Sequence, residues 1–266
     1  MSFLIVIPAR YASQRYPGKP LATLRGASGI EKSLIQRSWE AAQAVEGSPR
    51  VVVATDDDRI RTAAEAFGAE VVMTSPEARN GTERCAEAVA NMAESFDVVV
   101  NLQGDAPLTP AWFITDLVAA ARAEPSAEIA TPVLRCDGAA LNAFLADRKA
   151  GRVGGTTAVF GHDRSALYFS KEVIPFTSEA YAPEAATPVF HHVGVYAYRP
   201  DALAAYPSWP VGPLETLEGL EQLRFLEQGR RVLCVEVEGR GRAFWELNNP
   251  EDAPRIEAML AQMGVE

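Results

Sequence analysis

Residues Arg10–Lys19 gather three cations (Arg10, Arg15 and Lys19), a hydroxyl (Ser13), an amide (Gln14) and a glycine (Gly18). They follow directly on the apolar run Phe3–Ile7. Arg10 can fork onto phosphate oxygens, and Lys19 adds a mobile point charge. Gly18 lets backbone approach a ligand closely, while Pro8, Pro17 and Pro20 stiffen the loop. This is chemistry for holding a polyanion at the end of a buried strand. The string is neither a Walker-type phosphate loop nor G-x-G-x-x-G. A second group, Asn101-Leu-Gln103-Gly-Asp105, also ends an apolar strand. Asp105 there suits a hard cation such as Mg²⁺, which takes one or two carboxylates together with phosphates and water.

The elements that must position these residues are legible in the patterning. Phe3–Ile7, Val51–Ala54, Val71–Met73 and Val98–Leu102 are continuous runs rich in Val and Ile, as strands covered on both faces are. Helical stretches lie between them at Ser33–Val45, Asp58–Phe67 and Thr82–Ala93. The alternation predicts an α/β fold: a doubly wound, mostly parallel open sheet, with ligands beyond the carboxyl ends of its strands. The middle reads differently. Ile129–Leu134, Thr157–Phe160, Leu167–Phe169 and Val193–Tyr198 are irregularly spaced strand candidates, and Pro175–Pro188 is a proline-bearing loop. This predicts a mixed-sheet excursion over 128–200. A helix at Leu214–Gln228, a strand at Val232–Val237 and a helix over about Pro250–Met263 follow.

Composition narrows the partners. The 266 residues carry a formal net charge of -10, which argues against a general nucleic-acid or membrane-surface binder. A few focused cations can still bind an anionic small substrate. Cys85, Cys136 and Cys234 are widely spaced, as reduced thiols in a cytoplasmic protein are. The first apolar run is too short for a membrane span and has no basic region ahead of it.

The stretch Ile7-Pro-Ala-Arg10-Tyr-Ala-Ser13-x-Arg15-x-Pro17-Gly18-Lys19-Pro20-Leu21 closely resembles the signature of 3-deoxy-manno-octulosonate (Kdo) cytidylyltransferases. Sialic-acid cytidylyltransferases share a related signature but carry Lys-Asn where this chain has Gly18-Lys19. Further matches span nearly the whole chain: Ala54-Thr55-Asp56, Asn80-Gly81-Thr82-Glu83-Arg84, Gln103-Gly-Asp105, Leu167–Lys171, His192–Tyr198 and Pro213–Arg224. The resemblance implies a Rossmann-like nucleotidyltransferase, a single cytidylyltransferase domain over 1–266, with 128–200 for sugar binding and dimerisation. It implies transfer of CMP from CTP to an acidic keto-sugar, for surface polysaccharide such as lipopolysaccharide, by a homodimer. Arg10, Ser13 and Lys19 would hold the triphosphate, with Gln14 nearby. Pro8, Ala9, Asn80, Gly81, Thr82 and Gln103 would meet the rest of the nucleotide. Arg10, Lys19 and Asp105 would be catalytic, and Asp105 would bind Mg²⁺. Lys171, His192, Glu215 and Gln222 would meet the sugar.

The match also has departures. Where the family pattern has a second metal-binding Asp, this chain has Asn248, with Glu246 two residues earlier and on the same face of any strand. Thr157 stands where relatives often carry Lys, and Arg25–Ile30 reads as an insertion. The acceptor is therefore open between Kdo, an amino-Kdo variant and another ulosonic acid. A sialic-acid-type cytidylyltransferase and a non-catalytic nucleotide sensor are the alternatives.

Overall fold

The computed structural model describes residues 2–12, 16–104, 107–153, 155–242, 245, 247 and 249–266. Ser13, Gln14, Asp105, Glu246 and Asn248, all named above, lie outside the described residues. The chain divides into two compact units: 1–115 with 239–266, and 116–238. The second takes in the expected excursion and runs on to Glu238.

The first unit is built on β1 (Phe3–Ala9). A hairpin of β2 (Thr23–Arg25) and β3 (Glu31–Ser33) follows, formed by the segment that read as an insertion. Then come α1 (Leu34–Gln43), β4 (Arg50–Thr55), α2 (Asp58–Ala66), β5 (Glu70–Met73), α3 (Gly81–Ala90) and β6 (Val98–Leu102). The strand order β5-β4-β1-β6 is parallel throughout, as the continuous apolar runs predict. Leu4 through Ile7 and Val98 through Val100 are fully buried, each side chain contributing about 1.5–3 kcal/mol by leaving water. Side-chain caps start all three helices: Ser33 Oγ accepts from Gln36 N, Asp57 from Arg59 N and Ile60 N, and Asn80 from Glu83 N. α4 (Ala111–Ala123) contains the boundary between the units. A second core of Leu24, Leu34 and Leu108 closes only with Leu247 and with Ile256 and Leu260, the last two in a helix near the end of the chain.

In the second unit β7 (Ile129–Asp137) is the hub. It leads into α5 (Gly138–Lys149), β8 (Thr156–Phe160), β9 (Ala166–Ser170), β10 (Ala186–His192), β11 (Val195–Tyr198) and α6 (Pro200–Ala205). Next are α7 (Pro213–Glu218), α8 (Leu223–Glu227) and β12 (Val232–Val237). β10 and β11 pair antiparallel with β7, and β12 runs parallel to it. β8 lies antiparallel between β10 and β9. The sheet of this unit is mixed, as expected. In the first unit, α9 (Ala253–Met263) then follows a 3-10 turn at Pro250–Asp252.

Two expectations are corrected. The loop expected to reach Pro188 ends earlier, because Ala186–His192 is a strand; its register shifts between Ala186 and Phe190, an irregularity that accommodates the proline. The single helix expected over Leu214–Gln228 is two, because Gly219 takes a left-handed φ of 61° and ends α7.

Candidate functional site

In the first unit the carboxyl ends of β1, β4, β5 and β6 carry most of the described nucleotide-side residues. β1 ends in Pro8 and Ala9, and the chain then turns out through Arg10. Gly18 N donates to the Tyr11 carbonyl at 2.9 Å, closing the loop on itself. Gly18 needs to be glycine twice over: its φ is +70°, and a Cβ there would lie 3.0 Å from the Tyr11 ring. On that ring sits the Arg59 guanidinium, 3.3 Å from its centroid, itself held by Asp57. This hydrogen bond holds Asp57 below its usual pKa. The loop is thereby shaped before any ligand arrives.

Arg10 and Lys19 of this loop each donate to a main-chain carbonyl. Arg10 is exposed and donates to the Arg79 carbonyl at 3.5 Å. Lys19 Nζ donates to the Leu247 carbonyl at 3.2 Å. This bond brings the loop lysine to the segment that carries Glu246 and Asn248. Gly104, following Gln103, packs beside the end of β1: its missing Cβ would be 3.9 Å from the Pro8 carbonyl. Asn80 is extended and caps α3 with its side chain, Gly81 opens that helix, and Thr82 is buried in its first turn. The cap is Asn80.

Sequence reasoning gave no role to Arg84, Asp56 or Asn101. Arg84 is buried, ion-paired to Asp56 (3.1 Å) and bonded to Thr74 Oγ1 (2.5 Å), so it fastens α3 to the ends of β4 and β5. Burial holds its guanidinium below its usual pKa; Asp56 opposes this and Arg10 adds to it. Asn101 is fully buried on β6, and its amide has no partner among the described residues. A polar residue interrupting Val98-Val-Val-Asn-Leu102 was its one signal.

In the second unit the four residues expected at the sugar differ in what they have left to offer. Lys171 follows β9, half-buried, and its ammonium makes no ion pair among the described residues. Gln222 is buried; its amide oxygen accepts from Tyr196 OH at 3.1 Å, and its Nε2 has no partner among the described residues. His192 is buried against Phe169 and Tyr196, with Nε2 2.9 Å from Thr131 Oγ1. Burial pushes its pKa down to about 3, so it is a neutral imidazole at neutral pH. The Glu215 carboxylate is held within the fold: both oxygens accept from Arg224, at 2.6 and 2.7 Å, and Arg224 is 1% exposed over the Tyr206 ring. That bidentate pair fixes where the carboxylate of Glu215, an expected sugar residue, sits in this unit.

The expected metal ligands Asp105, Glu246 and Asn248 lie outside the described residues. Among the described residues no group of three His, Cys, Asp or Glu could hold a metal. As a donor set, two carboxylates and an amide oxygen fit Mg²⁺. Cys85, Cys136 and Cys234 are buried and form no disulfide among the described residues, and burial pushes the Cys136 and Cys234 thiols up to about 12.

Comparison with known proteins identifies the family. The family profile described as "Cytidylyltransferase" matches residues 4–232. The chain is 46% identical over 264 residues to the 3-deoxy-manno-octulosonate cytidylyltransferase of Maricaulis maris, covering 99% of each. It is 39% identical to the 8-amino-3,8-dideoxy-manno-octulosonate cytidylyltransferase of Shewanella frigidimarina, covering 98% of this chain and 99% of that one. Its fold is similar to a solved CMP:2-keto-3-deoxy-manno-octonic acid synthetase complexed with CTP. There the TM-score is 0.81 at 33% identity, covering 99% of this chain and 100% of that one.

Proposed function

The chain belongs to the 3-deoxy-manno-octulosonate cytidylyltransferase family, and on that premise we propose that it transfers CMP from CTP to a 3-deoxy-ulosonic acid, Kdo or its 8-amino relative. The anomeric hydroxyl oxygen attacks the α-phosphorus in line. The bond from that phosphorus to the bridging oxygen breaks, pyrophosphate leaves, and the hydroxyl proton passes to solvent. Positioning and charge neutralisation supply most of such catalysis.

The observation that carries this reading is the pair of loop cations on carbonyl oxygens, Arg10 on Arg79 and Lys19 on Leu247. Arg10 and Lys19 bind the triphosphate and stabilise the pyrophosphate as it leaves, with Ser13 and Gln14 assigned to the same anion. Pro8, Ala9, Asn80, Gly81, Thr82 and Gln103 serve the cytidine. Asp105, with Glu246 or Asn248, would hold Mg²⁺, which when bound supplies further neutralisation of the triphosphate. On the sugar side Lys171 is the cation for the acid group. The Gln222 Nε2 donor and neutral His192 are assigned to its hydroxyls.

The wider assignments rest on the same family reading. The protein acts in the cytoplasm, in surface polysaccharide synthesis, as a homodimer. Among the described residues no helix is long and apolar enough to cross a membrane. Phe176 (89% exposed) and Leu217 (81%) are large apolar side chains in the second unit for a second copy to cover.

The test is a pyrophosphate-release screen of four nucleotides against Kdo, 8-amino-Kdo and neuraminic-type sugars, with and without Mg²⁺. Metal-dependent turnover with CTP and a Kdo-type sugar is expected. Turnover only with neuraminic-type sugars moves the assignment to sialic-acid activation. CTP binding without turnover across the panel identifies a sensor.

A further inference from the structure

We propose that Glu218 is a positioning residue for the acid-sugar end of the reaction, acting through Lys171; this rests on the function proposed above. Glu218 closes α7 and is half-buried. Its Oε2 accepts from the Lys171 main-chain N–H at 2.9 Å. Its Oε1 accepts from Ser170 Oγ at 2.7 Å and from Tyr168 OH at 3.4 Å. Ser170 Oγ in turn accepts from Glu172 N at 3.0 Å. From β8, Thr157 Oγ1 donates to the Glu172 carbonyl at 2.7 Å and accepts from Ile174 N at 3.2 Å. Two side chains from different elements therefore fix the main chain on both sides of Lys171.

The carboxylate grips the lysine's backbone and leaves its ammonium unpaired. An acid so close would ordinarily take the ammonium as its partner and compete with an incoming carboxylate. Here the ammonium is turned toward Gly219, 3.1 Å from where a Cβ on that glycine would lie. Hydrogen bonds to an ionised acceptor are short and strong, so the end of β9 is held firmly enough to aim a long, flexible side chain. Thr157, where relatives often carry a cation, belongs to the same clamp.

The experiment measures pyrophosphate release with Kdo and CTP each varied, for the full-length chain and its Glu218→Ala, Glu218→Gln, Lys171→Ala and Glu218→Ala/Lys171→Ala variants. Glu218→Ala should raise the KM for Kdo roughly tenfold, the scale of one hydrogen bond to a charged group, and leave the KM for CTP unchanged. Glu218→Gln, which keeps one acceptor oxygen, should recover part of that loss. In the Lys171→Ala background the Glu218 effect should disappear. Equal changes in both KM values, or a tenfold effect that persists without Lys171, would overturn the proposal. So would unfolding of both Glu218 variants, which would make the residue purely structural. A parent chain that turns over no acid sugar overturns the proposed function itself, whereas normal parental turnover with no Glu218 effect overturns only this assignment.

Discussion

Two pairs of candidate residues, one in each unit, meet charge differently. In the first unit, Arg10 and Lys19 each donate to a main-chain carbonyl. In the second, Glu215 and Arg224 cancel each other in a buried bidentate pair, and His191 and His192 are buried as neutral bases. A carbonyl dipole orients a cation without cancelling it, while a buried bidentate pair cancels both of its charges. Residue type cannot tell the two apart; the partner does.

The sharpest way to break this contrast is a pair of substitutions with crossed effects. Glu215→Ala strands a buried guanidinium and should cost about 3–5 kcal/mol of stability in denaturant unfolding, with CTP affinity retained by whatever remains folded. Lys19→Ala should do the reverse. It should lower kcat/KM by roughly 10²–10³, or about 2.7–4 kcal/mol, with an unfolding midpoint close to that of the parent. Full activity in Lys19→Ala would end the triphosphate assignment.

Acid should separate the units next. Burial lowers the pKa of His191 to about 4 and of His192 to about 3, so the unfolded chain binds protons that the folded one refuses. The stability they permit is complete well above pH 6.5 and is lost as pH falls below it, by about 1 kcal/mol per histidine at one unit lower. Thermal melts at pH 7.5, 6.5 and 5.5 should show this decline, and His192→Gln should flatten it. A decline unchanged in that variant would assign the acid sensitivity elsewhere. The smallest expected effect is at the helix cap: Asn80→Ala should cost about 1 kcal/mol of stability whether or not the residue also meets nucleotide. A rise in KM for CTP beyond that loss would give it a binding role as well.

How legible these features were depended on whether neighbours or distant partners determine them. β1, β4, β5 and β6 could be read because burial on both faces demands unbroken Val and Ile. The cap at Asn80 and the turn at Gly18 are local and also carried a motif. β10 was hidden because Ala186-Thr-Pro-Val-Phe-His-His192 carries a proline and two histidines that only its neighbours β7 and β8 make sense of. Gly219 gave no warning that it would split a helix, since glycine is tolerated within helices at modest cost. Glu215 looked as free as any other acid, because its partner nine residues on is one of many arginines.

The return of residues 239–266 to the first unit bears on the order in which the chain matures. Leu24, Leu34 and Leu108 wait for Leu247, Ile256 and Leu260 before their shared core is complete. On a ribosome, the loop carrying Arg10 and Lys19 is therefore made well before its brace, because Leu247, the acceptor for Lys19, emerges only after the whole of 116–238. Until then the nascent amino-terminal strands lack part of their apolar cover. The vulnerable interval is the wait for residues 239–266, while the part of the unit made before them is still unfinished.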